Sequence, residues 1–266
     1  RSGELWYTSG GAQVDKFFTA RVKSISGTTV TLDMPFDMSL DSTNTYTVQC
    51  FRPVCNVNFF GGILSGGGIR PFPGPTDNVV NGAGIVAYNF NDGAQGCRVN
   101  IESVTGFQGF VVRTSNAFDI HVDGGIIRGY EDDDPEVVEG THSGFYGVFF
   151  AFSYNCNFTN CTSYRTRHMQ DGSFTRNSIN YNLTAYRSHR PPFGSHAGAN
   201  NYIFSNLVAD DGFGGIEWRG LNWIIDSCNI NSTTIVGAAA AYDVVGAAGD
   251  TKKTLKVSNS KLYGER

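Results

Sequence analysis

The sequence predicts an all-β protein built as a parallel β-helix, a solenoid in which each coil stacks on the one before it. Four segments repeat an asparagine-aromatic-aliphatic pattern, and their starts at Asn155, Asn180, Asn201 and Asn222 lie 25, 21 and 21 residues apart. A fixed period in this range is typical of solenoids. The segments are short, rich in β-branched and aromatic residues and bounded by polar turn residues, which indicates strands.

The composition agrees with this fold class. The 266 residues include 33 glycines, and only 17% are charged, which suits a chain with many tight turns. Almost no segment places apolar residues at positions i, i+3 and i+4, so we expect little helix. No linker divides the chain, and its length suffices for one core. We therefore expect one continuous domain.

Residues 1–49 are predicted to form an N-terminal cap of strands before the solenoid. Within this cap, residues 21–25 and 29–33 flank Gly27 and are predicted to form a hairpin. Residues 45–49 would form a further strand.

Residues 50–266 are predicted to form the β-helix itself. Weaker versions of the strand pattern lie outside the four clear repeats, at residues 56–59, 63–64, 97–101, 118–122 and 255–260. Residues 66–78 are rich in glycine and proline, and residues 129–136 are rich in acidic side chains. Proline cannot serve an interior parallel strand, so we predict that the first of these segments is a protruding loop. The second is predicted to be another.

Charge and hydropathy exclude two classes of partner. The net charge of −4 argues against a nucleic-acid partner, because phosphate binding needs a basic surface. No apolar run approaches the length of about 18 residues expected of a membrane span.

The six cysteines show no C-x-x-C pair, so we expect no zinc site. Buried free thiols are the favoured interpretation, and a disulfide between Cys50 and Cys55 remains an alternative.

Two groups of segments resemble a known superfamily. Residues 30–36, VTLDMPF, followed by residues 56–59, NVNF, resemble the opening of pectate-lyase-like right-handed parallel β-helices. Residues 167–168, 194–198 and 200–201 resemble a subgroup of bacteriophage tailspikes and appendages. The resemblance covers most of the chain at the level of the fold, but its motifs span only residues 165–220.

The resemblance implies a function as well as a fold. It implies a right-handed β-helix with protruding loops that binds and degrades a bacterial polysaccharide. The working unit would be a homotrimer on the virion tail, outside the cell and beside other phage tail proteins.

The candidate site residues follow the repeat. His168, His189 and Asp210 each lie twelve positions before the asparagine that opens the next coil, and His196 and Glu217 lie five before theirs. Equivalent positions on neighbouring coils stack about 5 Å apart. We therefore expect each set to project from one side of the solenoid.

These residue types suit chemistry on a polyanionic sugar. Arginine neutralises a substrate carboxylate, and a neutral histidine accepts a proton. For a lyase, the predicted catalytic residues are Arg167, His168, His196 and Glu217. For a hydrolase, Asp210 or Asp211 would pair with Glu217, because two carboxylates then flank the scissile bond. The predicted substrate-binding residues are Arg190, Arg219, Trp218, Tyr164 and His189.

Simpler interpretations remain open for each residue. The histidines suit solvated or turn positions, the aspartates suit turns, and Trp218 suits the core. We expect no cofactor, with Ca²⁺ at the acidic residues 131–134 as the one exception to consider. The alternatives to a phage depolymerase are a noncatalytic glycan-binding appendage and a secreted bacterial polysaccharide lyase or epimerase.

Overall fold

A computed structural model describes most of the chain. It covers residues 5–7, 13–15, 20–33, 48, 50, 53–65, 86–105, 109–129, 145–188, 190–195, 199–213, 215–217, 220–234 and 255–264. For residues 5–7, 13–15, 145, 211–213, 220–221, 232–234 and 264, only the backbone is described. The predicted loops at 66–78 and 130–136 and most of the predicted strand at 45–49 lie outside these ranges.

All regular elements in the described ranges are β-strands, as the sequence predicts. Their bounds are β1 Leu5–Tyr7, β2 Gln13–Asp15, β3 Val22–Ser26, β4 Thr29–Leu32, β5 Asn58–Phe60, β6 Ile63–Ser65, β7 Val86–Asn91, β8 Arg98–Asn100, β9 Ser103–Thr105, β10 Gly109–Ser115, β11 His121–Asp123, β12 Ile126–Arg128, β13 Phe145–Ala151, β14 Asn157–Tyr164, β15 His168–Ser173, β16 Arg176–Tyr186, β17 Phe193–Gly194, β18 Ala199–Phe213, β19 Ile216–Glu217, β20 Gly220–Asp226, β21 Asn229–Thr234, β22 Leu255–Ser258 and β23 Lys261–Gly264. Within the described ranges there is no helix with the length and apolar character needed to span a membrane.

Two parallel sheets contain most of these strands. One has six strands in the order β19-β17-β15-β13-β10-β7. The other has thirteen and includes the path β22-β20-β18-β16-β14-β11-β8-β5. From β13 to β20 the chain alternates between the two sheets and adds one strand to each in turn. This strand order fits a β-helix-like solenoid.

The core lies among the strands of both sheets. Its largest fully buried side chains include Trp223, Tyr202 and Phe204. The rings of Tyr202 and Trp223 stack with centroids 5.1 Å apart, one from each of two neighbouring strands. All six cysteines are free, and four of them are buried, as the favoured interpretation expects: Cys97, Cys156, Cys161 and Cys228. Cys50 and Cys55 are exposed, so for these two the expectation of burial is wrong. Burial raises the pKa of the Cys156 thiol to about 12, so this thiol stays protonated.

Asparagine marks one corner of successive coils. Asn155, Asn177, Asn201 and Asn222 all adopt left-handed backbone with φ of 55–56°, a conformation that asparagine tolerates better than most residues. The Asn201 amide donates a hydrogen bond of 3.0 Å to the Asn177 side-chain oxygen. These four positions are 22, 24 and 21 residues apart, which gives the true period of the repeat.

The second repeat was therefore predicted in the wrong register. Asn180 does not lie at the corner but three residues further along β16, where it pairs with Phe158 and Phe204. Its side chain is buried and donates to the Ser178 hydroxyl at 3.3 Å. Pattern alone could not distinguish this inward-facing asparagine from the corner asparagine at 177.

The predicted hairpin is confirmed. Strands β3 and β4 pair antiparallel around Gly27, whose φ of +58° is the left-handed conformation that such a turn requires. Arg21 connects this hairpin to the coils, because its guanidinium contacts Asp33 at 2.6 Å and Asp119 at 2.7 Å. The boundary between a cap at 1–49 and the β-helix stays a prediction.

Candidate functional site

Three aromatic rings from neighbouring strands form a stack outside the main hydrophobic core. Phe110 on β10, Tyr146 on β13 and His168 on β15 are partners in register. The Phe110 and Tyr146 centroids are 4.8 Å apart, and those of Tyr146 and His168 are 5.1 Å apart. Phe149 contacts the Tyr146 ring edge-on at 5.9 Å. We call Phe110, Tyr146, Phe149 and His168 the aromatic stack.

Arginine side chains surround this stack. The Arg167 guanidinium carbon lies 5.3 Å from the centroid of Tyr146, and that of Arg113 lies 5.5 Å from Phe110. The Nε atoms of Arg113 and Arg167 are buried and have no hydrogen-bond partner among the described residues. A buried polar nitrogen without a partner is costly, so an acceptor that reached these two atoms would stabilise them.

Arg190 adds a further positive charge beside Arg167. Its backbone N–H donates to the Arg167 carbonyl at 3.1 Å, which places the two residues next to each other. Burial lowers the pKa of Arg190 below its ordinary value, and the positive charge of Arg167 lowers it further, while Tyr146 opposes both. Two like charges are therefore held close together in a partly buried place.

His168 is oriented by a backbone carbonyl. Its Nδ1 lies 2.6 Å from the Pro191 oxygen, and a carbonyl oxygen can only accept, so Nδ1 carries the proton. In the neutral ring the lone pair is then on Nε2. The side chain is only 5% exposed, and the stack on Tyr146 fixes the plane of its ring. The arrangement suits a histidine whose Nε2 accepts a proton.

Two carboxylates lie in one column of the same sheet. Asp171 on β15 pairs with Phe149 on one side, and in the next two strands the equivalent residues are Gly194 and Glu217. Asp171 is buried, with 2% of its surface exposed, and Glu217 is half-buried. A Cβ at Gly194 would lie 2.9 Å from the Glu217 Cβ, so glycine makes room for that side chain.

Tyr164 belongs to a different column, on the larger sheet. Arg128, Tyr164, Tyr186 and Asp210 are successive partners in register along that column. Arg128 lies 4.5 Å from the Tyr164 centroid on one side, and Tyr186 stacks at 5.2 Å from the next strand. A sugar that stacked on a face of Tyr164 would have to displace one of them. The ring edge and hydroxyl are what Tyr164 presents.

The predicted site residues thus divide between the two sheets. Arg167, His168, Arg190 and Glu217 lie on or beside the six-stranded sheet, whereas Tyr164 and Asp210 lie on the larger one. The expected stacking of His168 with Asp210 is wrong, because His168 pairs with Tyr146 and Asp210 with Tyr186.

The register predicted for His196 and Glu217 is also wrong. Glu217 pairs with Gly194 and not with position 196. His189, His196, Trp218 and Arg219 lie outside the described residues, as does the side chain of Asp211, so their roles stay predictions.

Sequence reasoning missed five residues of this region: Phe110, Arg113, Tyr146, Phe149 and Asp171. Tyr146 precedes His168 by 22 residues, the spacing of the asparagine corners at 155 and 177. Taking Asn177 rather than Asn180 as the start of the repeat would have aligned Tyr146 with His168.

No three His, Cys, Asp or Glu side chains of the described ranges come together as a metal site. The calcium prediction concerns residues 131–134, which lie outside those ranges.

Comparison with known proteins gives only weak structural similarity. No family model matches the chain, and no curated protein matches it. Among solved structures, it is similar to a protein from Parabacteroides merdae ATCC 43184 whose crystal structure carries the name "putative glycosyl hydrolase". The two share 12% identity with a TM-score of 0.40, over 55% of this chain and 79% of that one. A similarity this weak supports no conclusion about activity, so function is argued from the residues of the site.

Proposed function

We propose that this chain is a right-handed parallel β-helix that binds an acidic bacterial surface polysaccharide and cleaves it by β-elimination. The observation that carries the proposal is the pair of arginines, Arg167 and Arg190, held beside Tyr146 and His168. This cluster combines cations that bind an acidic group with a histidine oriented to take a proton.

The arginine pair supports an anionic ligand. Two partly buried guanidinium groups that repel each other gain stability when an anion lies between them. Guanidinium groups match the geometry of carboxylate, phosphate and sulfate oxygens, and can bind them through two parallel hydrogen bonds. The protein as a whole carries a net charge of −4, so these arginines are a local feature rather than part of a generally basic surface.

The position of His168 supports elimination. In a uronic acid residue, the hydrogen beside the carboxylate becomes acidic when cations stabilise the enolate-like charge that forms on its removal. Arg167 and Arg190 supply those cations, and Nε2 of His168 accepts the proton. In this arrangement the arginines act on the carboxylate, and His168 acts on the neighbouring carbon.

Hydrolysis is the second candidate, and the column of Asp171 and Glu217 favours it. Their backbones are two strand spacings apart, or roughly 10 Å, and Gly194, which lies between them, has no side chain to fill that space. Inverting glycosidases hold their carboxyl groups about 6.5–9.5 Å apart, which side chains at this backbone separation can reach. Asp171 would then replace Asp210 as the partner of Glu217.

The proposed setting follows the resemblance to tailspikes. The working unit would be a homotrimer on a phage tail, beside other tail proteins and outside the host cell. Light scattering on the purified protein tests this, because a trimer is expected in solution. A monomer would favour the secreted bacterial lyase or epimerase.

A panel of capsular and wall polysaccharides, acidic and neutral, tests the activity. We expect an acidic polymer to become shorter, with the ultraviolet absorbance of a new double bond conjugated to a carboxylate. Shortening without that absorbance would contradict elimination and support the carboxylate pair. A polymer that binds and stays intact would overturn cleavage and leave a noncatalytic glycan-binding appendage.

The arginine pair gives a separate prediction for binding. Replacing Arg167 or Arg190 by glutamine removes a charged hydrogen-bond donor, worth about 1.5–3 kcal/mol. We expect Kd for the acidic polymer to rise roughly tenfold to hundredfold, and the salt dependence of binding to weaken. Isothermal titration calorimetry measures both.

The matched control for this prediction is Arg98→Gln. Arg98 is an exposed arginine on β8 of the larger sheet, away from the aromatic stack. If Arg98→Gln weakened binding as much as either site variant, the polymer would be held by diffuse charge and the arginine pair would have no special role.

A further inference from the structure

Tyr146 is the residue on which the other groups of the site converge. Its ring contacts Phe110, Phe149 and His168, and the Arg167 guanidinium lies over it at 5.3 Å. Arg190 lies next to Arg167, because its backbone N–H donates to the Arg167 carbonyl at 3.1 Å.

Packing alone does not require a hydroxyl at this position. On β10, the neighbouring strand of the sheet, Phe110 fills the equivalent place in the stack with a phenyl ring that has no hydroxyl. Tyr146 therefore differs from Phe110 by a hydroxyl. Its ring lies against His168 and under the Arg167 guanidinium, so this hydroxyl belongs to a group of side chains that can bind an anion and exchange a proton.

We propose that Tyr146 is a catalytic residue, the proton donor to the leaving oxygen of the cleaved glycosidic bond. This inference rests on the proposed function, since it assigns the second proton transfer of the same elimination. The ligand class is a glycan with a carboxylate next to the carbon that loses its proton.

The step balances as follows. Nε2 of His168 takes the proton from the carbon beside the carboxylate, and that electron pair forms a double bond to the next carbon. The bond from this carbon to the glycosidic oxygen breaks, and its electron pair leaves with the oxygen. The phenol of Tyr146 gives its proton to that oxygen. Water then removes the proton from His168 and returns one to Tyr146, so no oxidant or reductant is needed.

The surrounding charges favour this transfer. Five described charged or titratable groups belong to the aromatic stack or lie next to it: His168 against the Tyr146 ring, Arg167 over that ring, Arg190 next to Arg167, Arg113 over Phe110, and Asp171, the register partner of Phe149. Three of these five carry a fixed positive charge, which stabilises the phenolate that remains after the proton has left. The same cations hold the substrate carboxylate, so binding and proton donation occur in one place.

Tyr146→Phe tests the proposal with the smallest change. The ring stays in the stack and under Arg167, and only the oxygen is lost. We expect kcat to fall at least a hundredfold while KM and the Kd for the acidic polymer change less than threefold. A merely structural role would change stability or binding and would not separate kcat from KM in this way.

The control is Tyr181→Phe, since Tyr181 is an exposed tyrosine on the larger sheet. It should keep the activity of the unaltered protein. Fluorotyrosine at position 146 is the second variant, because it keeps the hydroxyl but makes it more acidic. It should move the alkaline limb of the pH–rate profile to lower pH.

Three results would overturn the assignment, and they are distinguishable. If Tyr146→Phe eliminates the polymer at the rate of the unaltered protein, Tyr146 is not the donor, and the proposed function stands. If fluorotyrosine leaves the pH profile unmoved, the limb belongs to another group. If the unaltered protein binds the polymer without shortening it, the proposed cleavage fails, and the role of Tyr146 fails with it.

Discussion

Replacing His168 by asparagine is expected to reduce polysaccharide cleavage by about 10²–10⁴-fold, the usual contribution of a general base. The asparagine amide can still donate to the Pro191 carbonyl, as Nδ1 of His168 does at 2.6 Å. It cannot accept the substrate proton, because an amide nitrogen is not basic. The initial rate of double-bond formation at saturating polymer measures the effect, and Kd should change little.

His121→Asn is the matched control for this variant. His121 is another histidine, half-buried on β11 of the larger sheet, where its Nδ1 lies 3.3 Å from the Asn157 amide. Burial lowers its pKa, with Arg98 as the next cause, so it is neutral at pH 7 and available as a base. We expect His121→Asn to keep full activity. Cleavage that survived in His168→Asn but not in His121→Asn would move the catalytic centre to the larger sheet.

The strands were predictable because their pattern is local. Alternating aromatic and β-branched residues between polar turns identify β14, β20 and β22 without any knowledge of their partners. The corner asparagines at 155, 201 and 222 were also recognisable, because few other residues adopt left-handed backbone cheaply. Asn180 shows the limit of this reasoning, since a buried asparagine and a corner asparagine look the same in sequence.

The site was only partly predictable because it depends on register. Arg167 and His168 were identified from their residue types, but the partner of His168 is set by how β13 aligns with β15. An error of three residues in one coil grouped His168 with His189 and Asp210 and left Tyr146 unrecognised. Asp171 was missed for the same reason, because its relation to Glu217 exists only once Gly194 is aligned between them.

Replacing Gly125 by alanine is expected to cause the largest loss of stability. Its φ is +86°, and an added Cβ would lie 2.2 Å from the Ile101 carbonyl oxygen of the neighbouring coil. Left-handed backbone costs alanine roughly 1–2 kcal/mol, and forced overpacking about 1–3 kcal/mol. For a chain of this size, the sum of about 2–5 kcal/mol corresponds to a fall in Tm of roughly 4–20 °C. Thermal unfolding followed by circular dichroism measures it.

Gly62→Ala separates the cost of left-handed backbone from the cost of overpacking. Gly62 lies at the same corner of an earlier coil. Both glycines immediately precede a residue that pairs with Ser103, Ile63 on one side and Ile126 on the other. Gly62 also has a positive φ, +107°, but an added Cβ there would meet no atom within 4 Å. The free energy of unfolding of the Gly62→Ala variant should therefore fall only by the cost of left-handed backbone, about 1–2 kcal/mol. Equal losses in the two variants would contradict the close stacking of neighbouring coils at Ile101.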